Sequence, residues 1–378
     1  MYRVLAALIC IVLGVGTLPA SAQTKIGPER IVGSGADNPA QPGLTPLGAG
    51  LLFSDEEDLS IYSAAGVKSP VTFSTPYGQY AGSMRELPDG TFIVVEVIYP
   101  NLFIQRYSAS GPKIGSPIQV NPTVTQPPNT LIYYEKVVTT RLSGGSFVIA
   151  WVIETYNEIT RTGTHTYVAQ RFDRNLNPVG SMMQISNPVL PDSTVVAPVA
   201  PAMAALGNGD FVICWQLSDT VMRGQRFTAA GNPVGAKFTI ADAAEAVVAS
   251  QPGGGFVVVW QSPTRQKLFG WRYQGTAPVG AKFPIVPLAG HMQVHPSIAR
   301  LPNGGIVVAW GEYGGSIYVA TYSPSGKALH AAPIRVNQNH INGQDYPVVG
   351  VLTNGGFMVA WEGIVSEEVL ALAQTFGP

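Results

Sequence analysis

The side chains with chemistry to offer fall in a few places. Asp55-Glu56-Glu57-Asp58 is an acidic run, and Glu96 stands alone in an apolar segment further on. Paired carboxylates hold a hard cation such as calcium, or divide acid and base roles on a glycan. The same residues also read as a solvated loop and one exposed glutamate. His165, His291, His295 and His340 are candidates for a metal or catalytic site, but their spacing matches no metal motif, and loops gather polar residues in any case. Tyr133, Tyr134 and Tyr156 fall in stretches read as long loops, 121–134 and 154–166, with a third at 186–201. A tyrosine-lined concavity suits a glycan or peptide, and an exposed tyrosine can equally cover its own loop.

These residues are positioned by a repeat. A leucine is followed by a turn with glycine, an apolar run ending in tryptophan, a strand ending in an aromatic, a second glycine turn and a last strand. LPNGGIVVAW (301–310), IYVATYSPSG (317–326) and PIRVN (333–337) form the clearest copy. Phe92, Phe147, Phe211, Phe256, Ile306 and Phe357 mark six copies at intervals of 55, 64, 45, 50 and 51 residues. A weaker unit over 47–74 comes first. About four short strands per unit at this period is the signature of a propeller blade, and no stretch beyond the first residues has helical periodicity. The last unit lacks a fourth strand. Lys25-Ile26-Gly27-Pro28-Glu29-Arg30-Ile31-Val32-Gly33 matches the fourth strand KIGSPIQVN (113–121) and supplies one. The expected fold is therefore all-β, a seven-bladed propeller of four-stranded blades, closed by an N-terminal strand that completes the last blade. The chain resembles bacterial exported proteins built from L-x-x-G-G-F-V-V-x-W repeats. That resemblance covers most of the chain, and implies a propeller and no particular activity.

Trp151, Trp215, Trp260, Trp310 and Trp361 end the second strand of five units. A residue needed in each blade is expected to pack between blades. Arg106, Arg171, Arg226 and Arg272 recur before the aromatic of the third strand and read the same way. The exceptions to the repeat are the better functional candidates. Glu96 takes the tryptophan position in the second unit, and Asp55 or Glu56 takes it in the first. All the candidate loops map to one face, where the first strand of each unit begins and the second ends.

Residues 1–22 read as a leader: Arg3, an apolar run over Leu5–Val15, then Ala20-Ser21-Ala22, with the mature domain over 23–378. An uncleaved anchor is the alternative. The expected location is the periplasm or outside the cell, with no membrane span in the mature chain. Cys214, in FVICW, is then the one mature cysteine, and is expected to be buried and inert. Lys+Arg number 22 and Asp+Glu 23, with charged residues at 12%, which gives nucleic acid no electrostatic support. There is no S-x-D-x-G-x-x-W, WD, GGxGxD, H-E-x-x-H or G-x-S-x-G sequence. The expected function is non-enzymatic binding or scaffolding, with a protein or carbohydrate on the loop-rich face. The alternative is a carbohydrate-active hydrolase or lyase using the carboxylates near Asp55 and Glu96. No cofactor is expected, calcium at the acidic run being the exception considered, and a monomer is expected.

Overall fold

The computed structural model describes residues 23–34, 43–47, 50–55, 58–63, 67–74, 81–98, 100–122, 126–188, 198–286, 292–312, 315–338, 343–365 and 368–378. The leader expected over 1–22 lies outside them. The described strands form a β-propeller of four-stranded antiparallel sheets, seven in number among the described residues. In chain order their innermost strands are Gly43–Leu47, Ala81–Glu86, Thr130–Arg141, Ala202–Ala205, Glu245–Ser250, Gln293–Arg300 and Asp345–Val351, and the blades are numbered one to seven in that order. Each innermost strand touches the innermost strands of the blades before and after it, and blade seven touches blade one, so the ring closes. The outer strand of blade seven is Lys25–Ser34, antiparallel to Glu368–Phe376, with Lys25 opposite Phe376 and Ser34 opposite Leu370. Lys25 Nζ donates to the Val336 carbonyl of blade six at 2.7 Å. The closing strand is thus tied to two blades.

Burial explains the sequence pattern. The second strand of a blade lies between two neighbouring blades, so both its faces are covered. Phe256–Gln261 and Ile306–Glu312 are buried at every residue, which is why each reads as an apolar run up to its tryptophan. The outer strands, such as Ala277–Pro284, are mostly exposed. All five repeated tryptophans are buried, each at most 1% exposed. Each packs against the preceding blade: Trp151 with Leu102 and Ile104 of blade two, Trp260 with Cys214 and Met222 of blade four. Cys214 is fully buried, and burial pushes its thiol up to about 12.

Two repeated devices hold the outer strand. Gln225 Nε2 donates to the carbonyls of Val234 and Gly235, and Gln105 and Gln170 do the same in blades two and three. In blade five Trp271 takes this position, and its Nε1 donates to the Gly280 carbonyl at 2.9 Å. In blades four and five a glycine on the third strand leaves room for a phenylalanine from the fourth. A Cβ at Gly224 would stand 2.1 Å from the Phe238 ring, and one at Gly270 would stand 2.5 Å from that of Phe283.

Candidate functional site

The site candidates lie where the innermost strands begin and the second strands end. This upper face carries the mouth of the central channel. Counting back six residues from Leu142, Gln251, Leu301 and Leu352 gives Lys136, Glu245, His295 and Tyr346. In blades two and four the same count gives Ala81 and Ala200. The column therefore varies in type where the rest of the repeat holds.

Three of these residues have left-handed backbone without being glycine: Lys136 (φ 54°), His295 (φ 49°) and Tyr346 (φ 50°). Each lies at a bulge in its innermost strand. Ladder pairing is interrupted between Glu135 and Val138, between Val294 and Ser297, and between Asp345 and Val348. In each case two residues face one repeated tryptophan: Trp151, Trp310 and Trp361. Such backbone costs on the order of 1–3 kcal/mol per residue and collects at functional sites, where the surrounding structure over-determines it.

The side chains around these bulges interact across blades. His295 Nδ1 and Asp345 Oδ1 are 2.8 Å apart, joining blades six and seven. The His295 and Tyr346 rings are stacked, with centroids 4.1 Å apart. The His295 backbone N–H donates to Gln261 Oε1 of blade five at 3.3 Å. Asp345 lies against Gly311, where a Cβ would come within 2.6 Å of Oδ1. Glu245 opens the innermost strand of blade five. Burial pushes its carboxyl above the ordinary range; Asp345 pushes the same way, while His295, Arg265 and Lys136 oppose it. Lys136 also bears on Glu135 of its own blade. One ammonium thus acts on carboxyls from blades three and five, with blade four between them.

A second group adjoins this one in blade three. Glu135 lies opposite Val152 and Glu154 opposite Tyr133, so the two carboxyls are diagonal neighbours on one face of the sheet. Burial raises the Glu135 carboxyl, Lys136 lowers it, and Glu154 raises it again. His165 stands opposite Glu154 in the sheet and is only 7% exposed. Its ring packs edge-on to Tyr167, and its buried Nε2 has no hydrogen-bond partner among the described residues. Burial holds the imidazole below its ordinary pKa, with Glu154 opposing.

Several expected placements change. Tyr133 and Tyr134 are in the innermost strand of blade three, Thr130–Arg141. Tyr156 and His165 lie in the long hairpin of strands Phe147–Asn157 and Thr162–Phe172, which leaves a turn of four residues where a loop over 154–166 was expected. His295 is in a strand, at its bulge. Blade three extends its first three strands beyond the neighbouring blades, and the polar content of the extension hid its pairing.

Glu96 is 2% exposed and faces blade one, among Met84, Phe92 and Val94, in the layer where other blades place tryptophan. It accepts a hydrogen bond from Tyr107 Oη at 3.0 Å, and burial raises its carboxyl while Tyr107 and Lys113 lower it. This is a packing position between blades, opposite Ala81 of the innermost strand. Asp55 ends a strand, and its side chain is not among the described ones; Glu56, His291 and His340 lie outside the described residues. Among the described residues no group of three or more His, Cys, Asp or Glu is placed to hold a metal.

No family model matches the chain, and no curated protein matches it. Among solved structures, a protein of unknown function from Dyadobacter fermentans DSM 18053 is 12% identical, with a TM-score of 0.53 over 92% of this chain and 98% of that one. An α-L-arabinanase from Penicillium chrysogenum, complexed with arabinobiose, is 14% identical, with a TM-score of 0.49 over 93% and 98%. The α-L-arabinofuranosidase Arb93A from Fusarium graminearum is 13% identical, with a TM-score of 0.46 over 77% and 91%. At these identities the likeness is one of fold alone.

Proposed function

We propose that the protein is an exported binding propeller that holds a carbohydrate at the mouth of its channel. The observation that carries this is Lys136, His295 and Tyr346, one position of the repeat presented on left-handed bulges by three blades, with Glu245 opening the unbulged innermost strand of a fourth. Carboxylates accept hydroxyl hydrogens, and the stacked His295–Tyr346 pair offers a flat face for a sugar ring. The leader-like segment 1–22 supports the periplasm or the exterior as the location.

Binding is preferred to cleavage because the sequence carries none of the catalytic motifs S-x-D-x-G-x-x-W, H-E-x-x-H or G-x-S-x-G. A hydrolase or lyase is favoured by one feature, the raised Glu245 carboxyl beside the His295–Asp345 pair. Its assay is release of new chain ends from whichever glycan binds.

The test is a broad glycan array with the mature chain, followed by calorimetry on the hits. His295→Ala and Lys136→Ala are each expected to weaken binding at least about tenfold, with thermal stability kept near that of the unsubstituted protein. A blank array, or binding that survives both changes and is lost with Arg300→Ala on the opposite face, overturns the reading.

A further inference from the structure

A second break in the repeat lies at the opposite end of the innermost strands. Two residues before the leucine position, blades three to seven carry Thr140, Ala204, Ala249, Ala299 and Gly350, while blade two carries Arg85. Arg85 stands opposite Ile93, which belongs to the apolar layer between blades two and three. Arg141, at the end of the innermost strand of blade three, stands opposite Phe147 of the same layer. Glu86 stands opposite Phe92, in the layer on the blade-one side. Two guanidiniums therefore enter one layer, and the carboxyl adjoining them in sequence enters the other.

Their donors are mostly unused. A guanidinium has five N–H donors. Arg85 Nη2 donates to the Thr139 carbonyl at 2.7 Å, and Arg141 Nη1 reaches the Glu86 carbonyl at 3.5 Å. Neither makes another hydrogen bond or an ion pair among the described residues, and Arg85 Nε is buried with no partner there. Arg106 and Arg226, by contrast, are paired with Asp89 and Asp210. Burial, and then the Arg141 charge, pushes the Arg85 guanidinium down to about 10, and no carboxylate acts to hold it up. A cation withdrawn from water without a counter-charge is costly, so buried cations are paired as a rule.

We infer that the missing counter-charge is a ligand: a doubly charged oxyanion, phosphate or sulfate, held between Arg85 and Arg141 at the lower end of the channel. Paired oxygens match the planar fork of a guanidinium, and two negative charges balance two guanidiniums. Chloride lacks the paired oxygens, and a single carboxylate brings one charge. The anion is either a free ion or an ester group on a larger molecule. This site is distinct from the Lys136–His295–Tyr346 column and stands whether or not a carbohydrate binds there.

The test is calorimetry with inorganic phosphate, sulfate, acetate and chloride at equal ionic strength, with thermal unfolding alongside. Phosphate or sulfate is expected to bind at one site, at least about tenfold tighter than acetate or chloride. Arg85→Ala places in blade two the residue that blades four, five and six carry; it should lose that binding, together with the rise in Tm that the anion gives. Arg85→Lys keeps the charge without the fork and should bind at least about tenfold more weakly, which preserves the test if Arg85→Ala fails to fold. No binding of either oxyanion at millimolar concentration, chloride binding as tightly as sulfate, or undiminished binding by both variants overturns the inference. A sulfated oligosaccharide that binds tighter than inorganic sulfate, with its unsulfated counterpart silent, supports the inference and assigns an ester as the source; inorganic ion binding at least as tightly supports it and assigns the free ion. A glycan whose binding is lost with Arg85→Ala and kept with His295→Ala supports this site and counts against the sugar site at the upper mouth.

Discussion

Tyr107→Phe isolates what Glu96 does in the layer between blades one and two. The change keeps the ring that stacks on Phe92, with centroids 5.3 Å apart and 7° between planes. It removes the hydroxyl that donates to Glu96. A hydrogen bond to a charged group contributes about 1.5–3 kcal/mol. With a melting entropy of about 2.1 cal/mol/K per residue, a loss of roughly 2 kcal/mol lowers the Tm of a chain this long by about 3 °C. The cost has a defined pH dependence. Burial already raises the Glu96 carboxyl, and the Tyr107 hydroxyl and Lys113 restrain the rise. Removing the hydroxyl lets it rise further. A carboxyl raised in the folded state costs nothing below its unfolded pKa and costs progressively more as pH climbs through the folded one. The Tm gap between Tyr107→Phe and the unsubstituted protein should therefore widen from about pH 4 to pH 8. Thermal unfolding followed by tryptophan fluorescence over that range is the assay. In a Glu96→Gln background the gap should be flat and close to 1 kcal/mol, the value for a neutral pair. A gap that is flat with Glu96 present refutes the argument, and so does one that narrows with rising pH.

Glu245→Gln should gain stability relative to the unsubstituted protein as pH rises above about 4.5, since a raised folded carboxyl is charged at a cost that the neutral amide never meets; parallel Tm curves over the same pH range would contradict this. Gly224→Ala should cost about 1–3 kcal/mol by overpacking, because the new Cβ would enter the Phe238 ring. In urea unfolding its loss should be largely recovered by Phe238→Leu in the same chain, and a second change that adds to the first would show that the two residues do not compete for space.

Much of the architecture was legible because the repeat encodes it in apolar period and turn residues. The strand Phe256–Gln261 is apolar up to its last residue because both its faces are covered. The closing strand was legible because Lys25–Ser34 keeps the fourth-strand pattern of Lys113–Gln119. The site was less so. Glu96 drew attention by replacing a tryptophan, and that position is buried in the layer that faces a neighbouring blade. The informative column lies six residues before the leucine, where the copies read alanine, lysine, alanine, glutamate, histidine and tyrosine. Aligning the repeats and asking which inner-strand column varies in chemical type would have found it. What no alignment displays is the bulge. The tryptophan across the strand pair does not mark it either: blade five has Trp260 and no bulge, while blade two has Glu96 in that place and a bulge between Ala81 and Ser83.

The charges at the two ends of the ring are used differently, and this separates scaffold from site. At the lower end the repeat supplies arginines, and they bind the blades together. Arg85 donates to the Thr139 carbonyl of blade three, and Arg141 returns a bond to the Glu86 carbonyl of blade two. Arg106 pairs with Asp89 and reaches the Arg174 carbonyl of the next blade, and Arg171 reaches the Ala230 carbonyl of blade four. Those guanidiniums each reach backbone oxygens of a neighbouring blade or a nearby carboxylate. At the upper end the carboxylates come from positions where the repeat varies, and they gather around His295 and Lys136. A charge that repeats and is tied to backbone holds the ring. A charge that breaks the repeat is the better candidate for the ligand recognition proposed above, and the His295–Asp345 pair, which also joins blades six and seven, is the place to test it.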